Sequence, residues 1–459
     1  MMDYLKEHIA NILMEKKIYW FGGGYYLAKP TIEPHLLGGV FFSKNDQHNL
    51  SQSKITINLE DLFDSRPDWN RLNENQVYNS MCYEVILKNK ESFNNCLLFP
   101  YYVSSFAEKI GHLIGASIVG NSSAMGEKIY IRKEGREIAK GTGFILPETY
   151  IFKLSELPAY SDLCQRCQSN ALVLTPPFSD GGAWVYIARN ESDFLLYSLE
   201  INDFFIDDYI EITPYYDGIS LNVNVCNMPI NNGNDCSVIV YPPSIQIIGE
   251  PTLSDNKMRY CGCDFASVAS LFDMFDFKPL FDSAVTIGQK LFKNYDWKGF
   301  FGIDVILRPD GSFLFLEINP RLQSSTHVLD ILFRNEWNPM LRQLESFLVC
   351  NNIKRISSYD VFNQRVNASM IIAYNNKQKP LCMNKNTFGL DGAYGLSKIS
   401  TFVDPGAVLF RCNFNGPVVD ISKKMLNTLL KMKVEKLIAE TYSNASCNDN
   451  RNVLLNAIN

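Results

Sequence analysis

The sequence predicts an α/β chain of several domains, with an α+β arrangement in its middle. Three observations predict it. Strand-like runs at 16–24, 38–42 and 97–103, with a helical pattern from Ser104 to Gly115, alternate as in an open α/β layer. Residues 171–188 and 300–318 each read as two strands folded over a turn signal, which makes hairpins. A chain of 459 residues is too long for one compact domain, and two to four are expected at about 100–200 residues each.

Composition is ordinary, with 46% hydrophobic, 20% charged and 13% aromatic residues, which excludes wholesale disorder, collagen and low-complexity protein. Against 43 basic residues stand 49 acidic ones, a net charge of −6 that argues against generic binding to nucleic acid or an anionic membrane. A local basic pocket is still allowed. Met1–His8 mixes charges of both signs without an apolar core segment, so no secretory signal is read there. No apolar run approaches the ~20 residues of a membrane span. The 12 cysteines are scattered in apolar segments such as Leu348-Val349-Cys350 and form no disulfide framework. A cytoplasmic protein with reduced thiols is expected.

The elements follow in order. Residues 16–24, Lys-Lys-Ile-Tyr-Trp-Phe-Gly-Gly-Gly, read as a buried strand ending in a glycine turn. The polar stretch 43–75 is assigned no element. Ala171–Thr175 and Trp184–Ala188 make a hairpin over a loop from Pro176 to Gly182. Strands are expected at 207–213, 219–226 and 237–241. A helix is expected over Asp264–Met274 with Asp264 as its N-cap. Another covers Lys278–Tyr295, with Leu280, Phe281, Ala284, Ile287, Leu291 and Phe292 on one face. Strands 300–307 and 313–318 are joined by Arg308-Pro309-Asp310-Gly311, a strong turn signal. Beyond 340, strands at 368–374 and 407–414 and a helix near 421–440 are expected, with a frayed polar end.

The second hairpin carries the chemistry. Asp304 sits on its first strand. Glu317 and Asn319 lie two apart on its second strand and share a face, and the turn brings Asp304 opposite Glu317. Three oxygen ligands then converge within apolar strands, as a hard cation such as Mg²⁺ requires. Arg321 follows on the same side, placed to hold a phosphate or steady developing negative charge. A surface hairpin would alternate polar and apolar residues instead of interrupting apolar runs at these positions alone.

Asp304, then Glu317-x-Asn319-x-Arg321, resembles the Mg-ATP site of the ATP-grasp superfamily. The resemblance implies an ATP-grasp clamp with an open α/β domain before it (residues 1–120). The clamp has a small lid subdomain (121–206) and a large subdomain carrying the Mg-ATP site (207–338), and an α+β region (339–459) follows. It implies that Asp304, Glu317 and Asn319 ligate two Mg²⁺ ions bridging the ATP phosphates and that Arg321 acts on the acyl phosphate. Ser179, Gly181 and Gly182 fall where the family carries its phosphate-covering loop, though a plain hairpin turn fits them too. Tyr209–Gly218 looks like the adenine-binding hinge, where backbone groups of the strand, here Ile212, Thr213 and Tyr215, meet the adenine edge, and a core strand ending in an Asp-Gly turn fits equally. Lys133, with Lys128 as second choice, matches the family's first phosphate-binding lysine.

Two departures stand out. Thr175 occupies the position of the second lysine, and no acid follows Gln323, where Ser324, Ser325 and His327 stand instead. The second departure disfavours biotin carboxylation. Ser324, Ser325 and His327 could bind an acceptor or a carboxylate, though Ser324 reads more readily as a cap for a helix over Thr326–Phe333, and Gln246 reads as a residue facing the nucleotide pocket or satisfying backbone. The implied activity is ATP-dependent ligation. A carboxylate becomes an acyl phosphate as ATP becomes ADP, and an amine, of an amino acid or peptide, then displaces the phosphate. Partners are small-molecule carboxylates and amines, and a homodimer is an open option. A non-catalytic ATP-binding relative and a ligase with a thiol acceptor stay open as alternatives. So does an oxidoreductase on the Phe21-Gly22-Gly23-Gly24 turn, which lacks the Gly-x-Gly-x-x-Gly pattern. A zinc site from Cys164, Cys167, Cys261 and Cys263 has the wrong spacing for a compact ribbon.

Overall fold

Strand β1 (Lys17–Phe21) is apolar on both faces, and Ile18, Tyr19 and Trp20 are fully buried, so it can only be a central strand of a covered sheet. With β2 (Leu36–Phe41), β3 (Ile55–Asn58), β4 (Cys96–Pro100) and β5 (Ser117–Ile118) it forms a parallel sheet in the order β3-β2-β1-β4-β5. The helix Ser105–Ile114 begins where Ser104 accepts a bond from the Ala107 amide and ends at left-handed Gly115. This is the expected open α/β layer. The computed structural model describes residues 2–14, 16–28, 30–41, 55–58, 80–176, 181–182, 184–204, 209–349, 358–377, 381–383, 393–398, 402–403, 405–443 and 445–446. Of the unassigned stretch 43–75, only β3 lies among them.

A second, antiparallel sheet is built from β6 (Tyr150–Lys153), β7 (Leu172–Thr175), β8 (Tyr186–Ala188) and β9 (Tyr209–Pro214), ordered β6-β9-β7-β8. Leu172 pairs with Ala188 across the expected hairpin. Its own small core joins Leu163, Leu172, Leu174, Phe194, Ile201, Ile210 and Ile212, contributed by these strands and two helices.

The third sheet is the largest. Its strands are β10 (Ile219–Ile230), β11 (Asp235–Val240), β12 (Ser244–Ile248), β13 (Tyr260–Asp264), β14 (Gly299–Leu307), β15 (Phe313–Asn319) and β16 (Ser369–Tyr374). After β17 (Leu381–Met383) come β18 (Ala393–Lys398), β19 (Phe402–Val403) and β20 (Val408–Phe414); β17 and β19 pair with each other elsewhere. The path runs β15-β14-β10-β12-β13-β16-β20-β18, with β11 paired to β10. The expected boundary at 338 therefore falls inside a continuous sheet. Leu221, Val223, Val225, Ile303 and Val305 pack one face against the helix Lys278–Tyr295, whose buried stripe is Leu280, Ala284, Ile287 and Leu291. The alternate residues, Asn222, Asn224 and Asp304, point to the other face.

Three expectations shift. The helix expected from Asp264 starts at Val268, because Asp264 is still paired with Ser369 at the end of β13. Its buried carboxylate accepts from the Ser267 amide and hydroxyl and from the Val418 and Val419 amides, at 2.7–2.8 Å. The C-terminal helix spans Thr428–Ser443; the residues before it pair Val419–Asp420 with Met425–Leu426. Ser324 caps no helix, since Thr326–Leu332 has Ser325 at its N-cap without a side-chain bond. No helix among the described residues is long and apolar enough to cross a membrane.

Candidate functional site

In the β14–β15 hairpin Asp304 stands opposite Glu317 and Gly302 opposite Asn319, the register that the turn predicted. A bulge between Asp304 and Val305 marks the spot. Asp304 is only 8% exposed. One oxygen accepts from Asn222 Nδ2 at 2.6 Å and the other from Asn319 Nδ2 at 3.0 Å. Burial first, then the Glu317 carboxylate, push Asp304 up to about 7, against the hydrogen bonds from Asn222 and Gln246. Asn319 Nδ2 also faces Glu317 Oε1 at 3.4 Å, and Arg321 Nη2 lies 3.5 Å from Asn319 Oδ1. The four motif residues thus form one cluster. Among the described residues no three acids, histidines or cysteines converge; this site offers two carboxylates and an amide.

A polar scaffold that no motif revealed holds the hairpin. Asn222 Oδ1 accepts from Ser325 Oγ at 2.7 Å, Asn224 Nδ2 donates to Ser325 Oγ at 2.8 Å, and Thr326 Oγ1 donates to Asn224 Oδ1 at 2.6 Å. Gln323 Nε2 ties back to the Arg321 carbonyl at 2.8 Å. Every member is buried and bonded, so the connector 321–326 is pinned to the strand beside Asp304. The alternating Asn222-x-Asn224 within an apolar strand was the signal available in the sequence. Gln246, for which pocket and backbone roles were both open, bonds side chains: its Oε1 accepts from Ser220 Oγ at 2.6 Å, and it hydrogen-bonds Asp304.

The cation reaching the hairpin from the helix Arg132–Ala139 is Arg132. Its Nη2 bonds Glu317 Oε2 at 3.0 Å and its Nη1 the Pro176 carbonyl at 3.2 Å. Lys133 is exposed, and the structure does not bring it to the cluster. The two positions differ by about 100° around the helix, and the docked face carries 132 and 136. Lys128 is 61% exposed and pairs with Glu134 at 3.9 Å. Arg136 makes a two-pronged bond to Glu211 at 2.8 and 2.9 Å. Glu211 lies opposite Thr175 on the neighbouring strand. A guanidinium therefore approaches the strand position where the resemblance expected a lysine, coming from the helix instead of the strand.

Of the glycine-tip residues, Ser179 lies outside the described residues. Gly181 and Gly182 pack on β13: the Gly181 carbonyl accepts from the Tyr260 amide at 3.1 Å. Gly182 has φ +78°, and a Cβ there would fall 1.7 Å from the Met258 carbonyl oxygen. Of the expected hinge residues, Ile212 buries its side chain in the core of the small sheet, opposite both Tyr150 and Leu174, which leaves the expected backbone contact of this strand untouched. Thr213 is half-buried. Tyr215 is 37% exposed, with its amide on the Ala171 carbonyl at 2.8 Å and Arg189 over its ring at 4.9 Å. Arg321 stacks on Tyr101, 5.3 Å from the ring centre, and bonds its hydroxyl at 2.5 Å, which joins the hairpin to the first domain. Cys164 and Cys167 lie on the helix Tyr160–Cys167, and Cys261 and Cys263 on β13.

This order of layers, a parallel sheet, a small antiparallel sheet and a large sheet with an acid-bearing hairpin at its edge, is the ATP-grasp fold. The solved structures it resembles include a biotin carboxylase domain of the Hydrogenobacter thermophilus 2-oxoglutarate carboxylase, held with MgADP and bicarbonate. The TM-score is 0.61 at 12% identity, over 94% of this chain and 90% of that one. Biotin carboxylase of Campylobacter jejuni matches at TM-score 0.61 and 12% identity, over 94% and 92%. The N5-carboxyaminoimidazole synthase of Aspergillus clavatus matches at 0.56 and 12%, over 92% and 99%. No family model matches the sequence, and no curated protein does either.

Proposed function

We propose that the protein is an ATP-dependent ligase that activates a substrate carboxylate as an acyl phosphate and joins it to an amine, of an amino acid or peptide. The observation that carries this reading is the buried Asp304–Glu317–Asn319 cluster with Arg132 and Arg321 on its two sides. The donor set suits Mg²⁺: two carboxylates and an amide, one carboxylate held so far from water that its charge calls for a cation. The Asn222 and Asn319 amides and the charge of Arg321 now answer part of that charge, while Arg132 pairs with Glu317. Mg-ATP, when bound, supplies the phosphoryl group and neutralising charge. Asp304, Glu317 and Asn319 would hold the metal ions, and Arg132, in place of Lys133, the phosphates. Gly181 and Gly182 belong to the loop over the nucleotide, and Thr213 and Tyr215 to the adenine edge. Arg321, fixed by Tyr101, would steady the oxyanion that forms when the amine attacks the acyl carbon. The fold neighbours support ligation of this general kind, since a biotin carboxylase domain and an N5-carboxyaminoimidazole synthase are among them.

The test is a coupled ADP-release screen of the full chain across amino-acid pairs. Release that requires one acid and one amine supports the ligase. A second reading, an ATP-binding relative without turnover, rests on Thr175, which puts no lysine on the lid strand. Tight MgATP binding with no release for any pair would favour it and overturn the first.

A further inference from the structure

Arg411 is among the cations that the ligase reading does not use. Arg411 lies on β20 with its guanidinium 3.9 Å from the centre of the Tyr26 ring. Its Nε is buried without a hydrogen-bond partner, and among the described residues no carboxylate pairs with it. Two residues on, on the same side of the strand, Asn413 is 4% exposed and its Oδ1 is equally without a partner. A buried donor and a buried acceptor both lacking partners mark a place built for something else to bond.

The register ties this place to the Asp304 hairpin. Asp304 stands opposite Asn222, and Asn222 opposite Ser244; Gln246, two further along, stands opposite Cys263, which faces Met370, which faces Asn413. Side chains opposite one another share a face, so Asp304, Asn413 and Arg411 look out from the same side of one sheet. The connector after Arg321 closes the distance. Ser325 Oγ bonds Asn222 at 2.7 Å, while its neighbour Ser324 bonds the Tyr26 hydroxyl at 2.8 Å, beneath Arg411. His327 lies edge-on to Tyr26 at 5.4 Å and 3.4 Å from Asn413 Nδ2. Tyr26, Ser324, His327 and Arg411 are all half-buried, as residues lining a cleft are.

We propose that Arg411 and Asn413 form the anchor for an amino-acid substrate, with the guanidinium on its carboxylate and Asn413 Oδ1 on its ammonium. A planar guanidinium stacked on an aromatic ring is pre-set for a carboxylate. An acceptor on the same face selects ligands that also carry an N–H donor. The anchor lies beside the connector that carries Arg321, which suits the second substrate of the ligase reading on which this inference rests.

The experiment titrates the full chain with each of the twenty proteinogenic amino acids, and with succinate and inorganic phosphate, by calorimetry, with and without MgADP. At least one amino acid is expected to bind better than succinate or phosphate. Arg411→Ala should weaken it at least tenfold and Arg411→Lys less. MgADP affinity, measured on the same samples, reports that each variant is folded. The inference is overturned if no amino acid binds the wild type, if Arg411→Ala binds as well as wild type, or if phosphate alone binds through Arg411. MgADP failing to bind while amino-acid binding through Arg411 persists would remove the nucleotide reading and leave this one standing.

Discussion

Arg132 and Glu317 are 185 residues apart in the chain and 3.0 Å apart in the fold. The pair locks the helix Arg132–Ala139 onto the edge hairpin of the large sheet, and both side chains are mostly buried, at 14% and 25% exposure. It sets a cation of that helix directly against an acid of the hairpin, and the two elements share one core through Ile138, Ala139, Phe315 and Ile318.

Replacing Arg132 should therefore matter where replacing Lys133 does not. Arg132→Ala is expected to weaken MgADP binding by about tenfold, which is ~1.4 kcal/mol. Lys133→Ala should leave it within twofold. Calorimetric titration of both variants checks this, and equal losses would return the role to Lys133.

Glu317→Ala removes one of the two carboxylates facing each other across the hairpin. ADP formation should fall by on the order of 10²–10³-fold. The circular-dichroism spectrum should be unchanged, because the strand pairing does not use the side chain. Undiminished turnover would sink the metal assignment.

Gly182 and Gly181 differ in what a side chain would meet. At Gly182 a Cβ would collide with the Met258 carbonyl, whereas at Gly181 it would meet nothing within 4 Å. Both have positive φ, so alanine strains either, but Gly182→Ala must also push the tip off β13. Thermal unfolding should show Gly182→Ala melting below Gly181→Ala. The reverse order would mean that the tip does not dock on Tyr260 and Met258.

Asp330 is fully buried, with one oxygen held by Asn338 Nδ2 at 2.7 Å. Burial pushes its carboxyl up to about 7, against bonding from Thr31 and the charge of Arg334. The folded state then holds a proton that the unfolded chain has released once the pH passes the ordinary carboxylate range. Stability should fall as pH rises from about 4 to about 7, and change no further through this group above that. Asp330→Asn should flatten that part of the melting-temperature profile relative to wild type. Parallel profiles would show that Asp330 is ionised in the fold.

Much of the site was legible because it is local. Asp304, Glu317, Asn319 and Arg321 belong to one hairpin, whose turn sets the register and whose period of two sets the face. The helix Lys278–Tyr295 was legible in the same way, from its own apolar stripe. Which face of β9 turns inward was not legible: Ile212 points into the core of the small sheet because β9 is the second strand of four and is covered by helices on the side that Ile212 faces.

The sequence by itself determined the acid-bearing hairpin with its register, the hairpin over 171–188 and the helix Lys278–Tyr295. Only the tertiary structure decided that Arg132 and not Lys133 meets Glu317, and that Asn222 and Asn224 hold the connector. It also decided that the C-terminal strands extend the large sheet so that Arg411 shares a face with Asp304. The physical reason is the same in each case. Neighbouring residues on a helix or strand point in different directions whatever their chemistry, and which direction becomes the inside is settled by the element that docks there, tens or hundreds of residues away.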